Sequence, residues 1–529
     1  MKKRILTLIP LCFILTACSP LSSTTTKVEK TTTSLIEESK IVLDSNIVVK
    51  KCDFSTRKIE KKEDVTYQDL FNLGNQVSIS IDISNEELEL LQRDLDYYVN
   101  TGCKMETYHR LNSVTITLKN YDNVFSWTLD DVGIRQKGNT SRKAEWPIYA
   151  NGAVASLNHF KLSFDETFDD SKMYGDKAID WTGKEKELKA RKDRDFLGLS
   201  GLDLKWNKNY DATHIKEIYA NRLYNSLGLI SQYTGLSNFE INQVDNNKKY
   251  DMGVYTIYEP AKKSLIKRNL EDGDILNFSS WSEEKKGTYG VEKSKYGDLY
   301  KCSWGVDFTY SNINNNVGVG SYDGTYLPKY ERKTNTDIEY DDKLLKNFGS
   351  AIQSRDYNKI SNVLDLEYFA ATEAVNYFIG NPDDLKNNTN NVMIYFRKTD
   401  GKAITIPIDN DRCFGITKDW NPGGKAMMNI GVLDDKKSEG GNVINLYTDT
   451  ILKNNSEAKK MYLSYVKALY DSEWLTDAKF NELYNIALRS YGDTVSSVYQ
   501  YVNFSLKDTN ASFSEYITAK KNLAKIYID

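Results

Sequence analysis

Apolar and polar residues alternate over Val77–Ile83 (VSISIDI), the period of a strand with one buried face. Val114–Leu118, Phe125–Ile134 and Phe160–Phe164 read as further strands, so the first third of the chain is predicted to be strand-dominated. Between the first two, Asn85 is placed to cap a helical stretch carrying Leu88, Leu90 and Leu91. The period changes at Thr213–Leu227, where apolar residues at 215, 218, 219, 223 and 227 share one helical face and Gly228 supplies the stop. Strands are predicted again near Gly235–Ile241 and Met252–Tyr258, and Gly287–Gly324, rich in Gly, Ser, Asn and Tyr, reads as a long loop. One long helix is expected over Asn358–Ile379, and amphipathic helices over Ser456–Tyr470, Asp477–Tyr491 and Ser512–Ile528. The order predicts an α+β protein with a strand-rich first part and a helical second part.

The most informative segment is Asn381–Gly415. Val392–Arg397 and Ala403–Ile408 are rich in β-branched and aromatic residues, and Asp400-Gly401 between them is a strong turn signal, so the pair is predicted to be a β-hairpin. A turn there sets Asn391 roughly opposite Asp409 and Asn410. Asp383, Asp384 and Asn391 then become neighbours of Asp409 and Asp411. Oxygen donors at that density suit a hard cation such as Mg²⁺ or Mn²⁺. An Asp and an Asn holding a divalent ion, with a further Asp as base, is the arrangement phosphoryl transfer needs. Solvated Asp- and Asn-rich loops share this composition.

The first residues change the picture of where the chain works. Met1–Arg4 is a positive n-region, Ile5–Leu15 an apolar stretch too short for an ordinary membrane span, and Leu15-Thr16-Ala17-Cys18 looks like a bacterial lipobox. Cleavage before Cys18 and lipid on its sulfur would anchor an otherwise soluble protein outside the cytoplasmic membrane. Residues 19–64, rich in Ser, Thr, Lys and Glu at their start, are expected to form a disordered tether, with globular structure from about residue 65. Of 529 residues, 27% are charged and the net charge is −4, which argues against a general nucleic-acid binder. Cys52, Cys103, Cys302 and Cys413 match no zinc spacing, and export permits disulfides among them. The three histidines are scattered.

Several segments, in order, resemble the CotH spore-coat kinase-like proteins, atypical members of the protein-kinase fold. Gly133–Arg142 (GIRQKGNTSR) is similar to the family's G-x-R-x-(R/K)-G-N-x-S-R segment, and His159–Phe164 to its Lys-bearing strand. Ile215–Gly228 resembles its R-E-x-x-A helix, with Lys216 in place of Arg; Gly253–Glu259 resembles G-x-Y-x-x-x-E. Pro407–Gly415 (PIDNDRCFG) resembles P-W-D-x-D-x-x-x-G, with Ile408 in place of Trp. The chain carries no G-x-G-x-x-G loop near its first strands, no H-R-D and no Walker A sequence.

The resemblance implies a two-lobed kinase-like domain over residues 65–430. Residues 431–529 would be a helical region that completes the second lobe or forms a docking module. It implies ATP with Mg²⁺ or Mn²⁺ as cofactors. Asp409 and Asn391 would hold metal, and Asp411 would assist or cap the loop. Asp384, or its rival Asp383, would be the base. Lys161 would contact the nucleotide phosphates, with Lys137 and Arg135 as alternatives, and Glu217 would pair with that lysine. Glu259 would lie near adenine or cap its strand. The implied activity is transfer of the ATP γ-phosphoryl group to Ser or Thr of surface or spore-coat proteins. The competing readings are a non-catalytic surface scaffold and a nucleotidyl transferase.

Overall fold

In a computed structural model of the chain, the strands of the first half close on themselves. The structure describes residues 41–529 except 139–140, 143–156, 210, 272–296, 337–338, 398–399, 417–425, 435–447, 497–502 and 508–510. Cys18 and Asn139 therefore lie outside the described residues, as do residues 19–40 of the expected tether.

Strands β1 (Gln76–Ile83), β2 (His109–Asn120), β3 (Asn123–Lys137), β4 (His159–Ser163), β5 (Gly201–Trp206), β6 (Thr234–Gln243) and β7 (Lys248–Tyr258) form a closed barrel in the order β1-β2-β3-β4-β5-β7-β6. Closure comes from β6 running parallel to β1, whereas the other neighbours are antiparallel. The alternation of β1 directs Val77, Ile79, Ile81 and Ile83 inward, where they join Phe160, Leu162, Leu204 and Ile257 in one apolar core. The α+β class is as expected, and the closed seven-stranded barrel adds a feature the periodicity did not indicate.

A second sheet takes the order β12-β11-β8-β10-β9, from β8 (Asp298–Cys302), β9 (Val317–Gly318), β10 (Tyr330–Arg332), β11 (Val392–Phe396) and β12 (Ala403–Pro407). The predicted hairpin is β11–β12, with Val392 opposite Pro407 and Phe396 opposite Ala403. The loop expected over Gly287–Gly324 is corrected in its described part, which contributes β8, β9 and a Tyr310–Asn316 helix. β8 pairs with β11, so the excursion widens the hairpin into a sheet.

The single helix expected over Asn358–Ile379 is two helices, Tyr357–Val363 and Leu366–Ile379. They part because Asp365 caps the second helix, accepting from the Tyr368 amide, while its own amide bonds the Ala403 carbonyl. Arg397, fully buried, pairs with Asp365 and with Asp400 (2.6 Å), and so locks the hairpin to this break.

The C-terminal helices Ser456–Asp471, Asp477–Tyr491 and Phe513–Ile528 match their predicted spans and share the apolar core of the second sheet and the Leu366–Ile379 helix. Tyr516 from the last of them lies against Gly380, where any Cβ would collide with its hydroxyl. Val42–Asp529 is one compact unit. Among the described residues, no helix is long and apolar enough to cross a membrane.

Ordered packing begins well before residue 65, which corrects the expected tether boundary. Phe54 and Ile59 are buried, the Lys50 amide bonds the Ser226 carbonyl (2.8 Å), and the Trp474 indole donates to the Lys50 carbonyl (2.7 Å). A chain starting at Val65 should therefore be less stable than one starting at Val42 by about 3–6 kcal/mol, from loss of two buried side chains alone. Urea unfolding of the two forms checks this, and coincident transitions would contradict it.

Candidate active site

The hairpin delivers its two ends to one place. Pairing runs one residue beyond the strands, with the Ile408 amide donating to the Asn391 carbonyl (3.0 Å). Asn391 (φ 52°) and Asp409 (φ 60°) both take the left-handed conformation, in which Asn and Asp are the best tolerated residues after glycine. Such conformations persist where surrounding contacts fix them. A buried row of amides provides those contacts: Asn410 Nδ2 donates to Asn221 Oδ1 (2.9 Å), and Asn381 Nδ2 donates to Asn410 Oδ1 and to the Asp409 carbonyl (both 3.3 Å). This row joins the Lys216–Ser226 helix, the segment after β12 and the loop before β11.

At the centre stands Lys205 of β5, which sequence reasoning passed over. Its ammonium contacts Asp409, lies 3.1 Å from Asp411 and 3.5 Å from Glu217, and sits 4.9 Å from the Tyr258 ring centroid. Burial alone would lower the Lys205 ammonium; Asp409, Asp411 and Glu217 override it and push it well above its ordinary value. Asp409 keeps 42% side-chain exposure, and Lys205 and Lys137 outweigh its desolvation to hold it below the usual carboxylate range. Glu217 is pushed up to about 7 by burial and by the two aspartates, against the pull of Lys205. Tyr258 donates to its Oε2, whereas Oε1 is buried with no hydrogen-bond partner among the described residues.

Lys161, the expected phosphate lysine, does not pair with Glu217. It lies opposite Asp203 on β5, 3.8 Å from that carboxylate, and Lys137 reaches the same group at 2.8 Å. Burial, with Arg135, Lys301 and Lys137 nearby, lowers Lys161 to about 7. Arg135 is occupied by Glu106 and lies over the Tyr108 ring. Arg135, Lys137, Lys161, Asp203 and Lys205 occupy β3, β4 and β5 at positions alternate to the core residues Ile134, Phe160, Leu162, Leu202 and Leu204, so they line the opposite face of the barrel wall. The turn after β3 is shaped by Gly138 (φ 89°), with Ser141 donating to the Lys137 carbonyl and Arg142 to the Gln136 and Gly138 carbonyls. That motif therefore fixes the end of the strand bearing Lys137.

Of the two readings of Glu259, its contacts fit the strand-end anchor. It is buried, and both its oxygens are taken by Arg268 at 2.7 and 2.6 Å. Lys216 is also buried and donates to the Ala511 carbonyl (3.1 Å), tying its helix to the C-terminal region.

The two rival aspartates face different ways. Asp384 caps the short Leu385–Asn388 helix through the Asn387 amide (2.7 Å) and is 5% exposed; burial and then Glu373 push it up to about 7. Asp383 accepts from the side-chain amides of Asn388 (2.7 Å) and Asn390 (3.0 Å), and the Arg412 guanidinium is 3.9 Å away. Burial and the nearby Asp409 raise it, so its field is shared with the hairpin end. Asn391 Nδ2 donates to the Asp383 carbonyl (3.0 Å), and nothing among the described residues donates to its Oδ1.

The arrangement combines a lysine clamped by a helix glutamate, a carboxylate at the end of a hairpin and a second carboxylate, Asp383, in the loop before β11. A family model described as CotH kinase protein matches residues 134–514. The chain belongs to the CotH kinase family. No curated protein matches it.

Members of this kinase-like family imply ATP and divalent-metal use in general. Among the described residues, no three His, Cys, Asp or Glu side chains form a ready metal cluster. The donors that fit such an ion are the Asp409 carboxylate, the Asn391 amide oxygen and the Asp411 carboxylate. All are hard oxygen ligands, and Mg²⁺ is commonly held by one or two carboxylates with phosphate oxygens completing the shell. The thiols of Cys52, Cys103, Cys302 and Cys413 are free, and burial pushes Cys52 up to about 12.

Lys205→Met should leave three carboxylates facing one another. We expect a loss of about 3 kcal/mol at pH 8, near the lower end for a broken buried pair because Asp409 keeps access to solvent. The loss should be smaller at pH 6 than at pH 8, because without the Lys205 charge Glu217 is raised further and takes up a proton in the variant. Lys161→Met should cost less at both values. Urea unfolding at pH 6 and 8 checks both expectations.

Proposed function

We propose that this chain is an ATP- and divalent-metal-dependent phosphotransferase with a two-lobed, kinase-like plan. The barrel would form one lobe, and the second sheet with its helices the other. The observation that carries the reading is the buried Lys205–Glu217 pair set against Asp409 at the hairpin end. In this reading Lys205 takes the role expected of Lys161: it holds nucleotide phosphates, and Glu217 keeps its ammonium in place. Asp409 and Asn391 would hold the metal, with Asp411 completing its surroundings. A bound divalent ion would neutralise charge on the phosphate oxygens.

Asp383 is the base in this proposal. It shares the field of Asp409, whereas Asp384 is committed to a helix cap and faces Glu373. The Asn388 and Asn390 amides orient Asp383, leaving it to accept the proton of an acceptor hydroxyl. The acceptor we propose is Ser or Thr of a surface or spore-coat protein. The lipobox-like Leu15–Cys18 supports a lipid-anchored location outside the cytoplasmic membrane.

The test is incubation with Mn²⁺ or Mg²⁺ and ATP labelled at the α- or the γ-phosphate. Transfer of the γ-label alone is expected, abolished by Asp409→Ala and reduced at least about 100-fold by Asp383→Asn, the scale of a lost general base. Asp384→Asn should retain most of the transfer, since its amide oxygen can still cap the helix. Transfer of the α-label would instead make the protein a nucleotidyl transferase. Absence of both transfer and metal-dependent ATP binding would leave the scaffold reading.

A further inference from the structure

Asp383 is supported from an element outside the segments that carry the family resemblance. The indole of Trp304, just after β8, donates from Nε1 to Asn388 Oδ1 (3.2 Å), and Asn388 Nδ2 donates in turn to Asp383 Oδ1 (2.7 Å). The next residue repeats the contact: the Gly305 amide donates to the Thr389 carbonyl (3.1 Å) and to Thr389 Oγ1 (3.2 Å). Thr389 takes the left-handed conformation (φ 52°), which a β-branched residue adopts only where its surroundings fix it. The donor segment is itself anchored. Val306 and Phe308 are buried, and Lys329 Nζ donates to the Gly305 carbonyl (3.3 Å). Trp304, by contrast, is 55% exposed, so burial of its ring contributes little.

The two bonds are directional. A side-chain amide can turn either its oxygen or its nitrogen to a neighbour, and only the nitrogen suits a carboxylate. An indole N–H is a donor only, so it takes the Asn388 oxygen and turns the nitrogen toward Asp383. Asn390 Nδ2 also reaches Asp383 Oδ1 (3.0 Å), so both amides load the same oxygen. Oδ2 accepts no hydrogen bond among the described residues, and the Arg412 guanidinium stands 3.9 Å from it.

We propose that Trp304 is a positioning residue for phosphoryl transfer, acting through Asn388 to hold Asp383 with Oδ1 occupied and Oδ2 left for the acceptor hydroxyl. The inference rests on the phosphotransferase reading and on Asp383 as its base. In the step, the acceptor oxygen bonds the γ-phosphorus and the bond from that phosphorus to the bridging oxygen of ADP breaks. The hydroxyl proton passes to Oδ2. Trp304 takes no part in these bond changes; it fixes the amide that fixes the carboxylate.

Total turnover of the γ-label of ATP with Mn²⁺, whether onto a protein hydroxyl or into inorganic phosphate, is followed for the protein and its variants. Trp304→Phe keeps a flat ring and removes the donor. Its kcat should fall about tenfold, the rate equivalent of one lost hydrogen bond, with KM for ATP within about twofold and thermal unfolding unchanged. The deciding variants are doubles. In an Asn388→Ala or an Asp383→Asn background, adding Trp304→Phe should cost nothing further, since the relay is already broken. A Trp304→Phe variant that matches the parent, or that costs the same tenfold in those backgrounds, would overturn the relay and leave the phosphotransferase reading standing. Turnover that Asp383→Asn leaves intact would overturn Asp383 as base, and the relay with it. A parent without γ-label turnover would overturn the phosphotransferase reading and the relay together.

Discussion

One ammonium ion organises the candidate site. Lys205 leaves the barrel on β5 and meets Glu217 from a helix and Asp409 and Asp411 from the far end of the hairpin. Three carboxylates around one cation leave a negative excess. Burial first, and then that excess, push Glu217 up to about 7 even with Lys205 beside it. A centre of this kind contributes little net stability, since desolvation offsets much of the attraction. It does fix the position of the barrel wall relative to the hairpin, and it concentrates oxygen ligands where a cation and an anionic ligand can be accommodated together.

The surroundings hold that centre rigidly. Asn221, Asn410 and Asn381 form a buried amide row that sets the backbone on both sides of Asp409. Arg397 clamps the hairpin turn to the start of the Leu366–Ile379 helix through Asp365. Tyr224 of the Lys216–Ser226 helix donates to Asn376 of that same helix. The C-terminal helices are part of this support, because Tyr516 packs at Gly380, immediately before the Asn381–Asn391 loop. Positioning of side chains on such supported elements is what electrostatic catalysis requires.

Much of this was legible in the sequence, for identifiable reasons. The hairpin carried both β-branched strands and an Asp-Gly turn, and its bounds agree within a residue. The three C-terminal helices carried amphipathic spacing, and in the structure Asn455, Thr476 and Ser512 cap them. β5 was missed although Leu202-Asp203-Leu204-Lys205-Trp206 alternates, because the run is short and both its faces are buried. Its charged face is covered by ion pairs with other elements, and sequence spacing does not reveal those partners. The family resemblance pointed to Lys161 on β4, whereas the lysine that meets Glu217 is Lys205 on β5. Composition alone could not separate Asp383 from Asp384, since only the helix cap and the neighbouring Glu373 distinguish them. Phe54 and Ile59 were hidden in a polar stretch, and their burial depends on contacts formed far along the chain.

The most direct test is a crystal structure of the protein grown with Mn²⁺ and a non-hydrolysable ATP analogue, located by the anomalous signal of the metal. The account predicts a Mn²⁺ ion bound to Asp409 at about 2.2 Å, close to the distance typical of small divalent cations. Lys205 should turn from Asp409 and Asp411 to a phosphate oxygen while keeping Glu217. A nucleotide bound elsewhere, or an ion bound with Lys205 still locked onto Asp409 and away from phosphate, would contradict it.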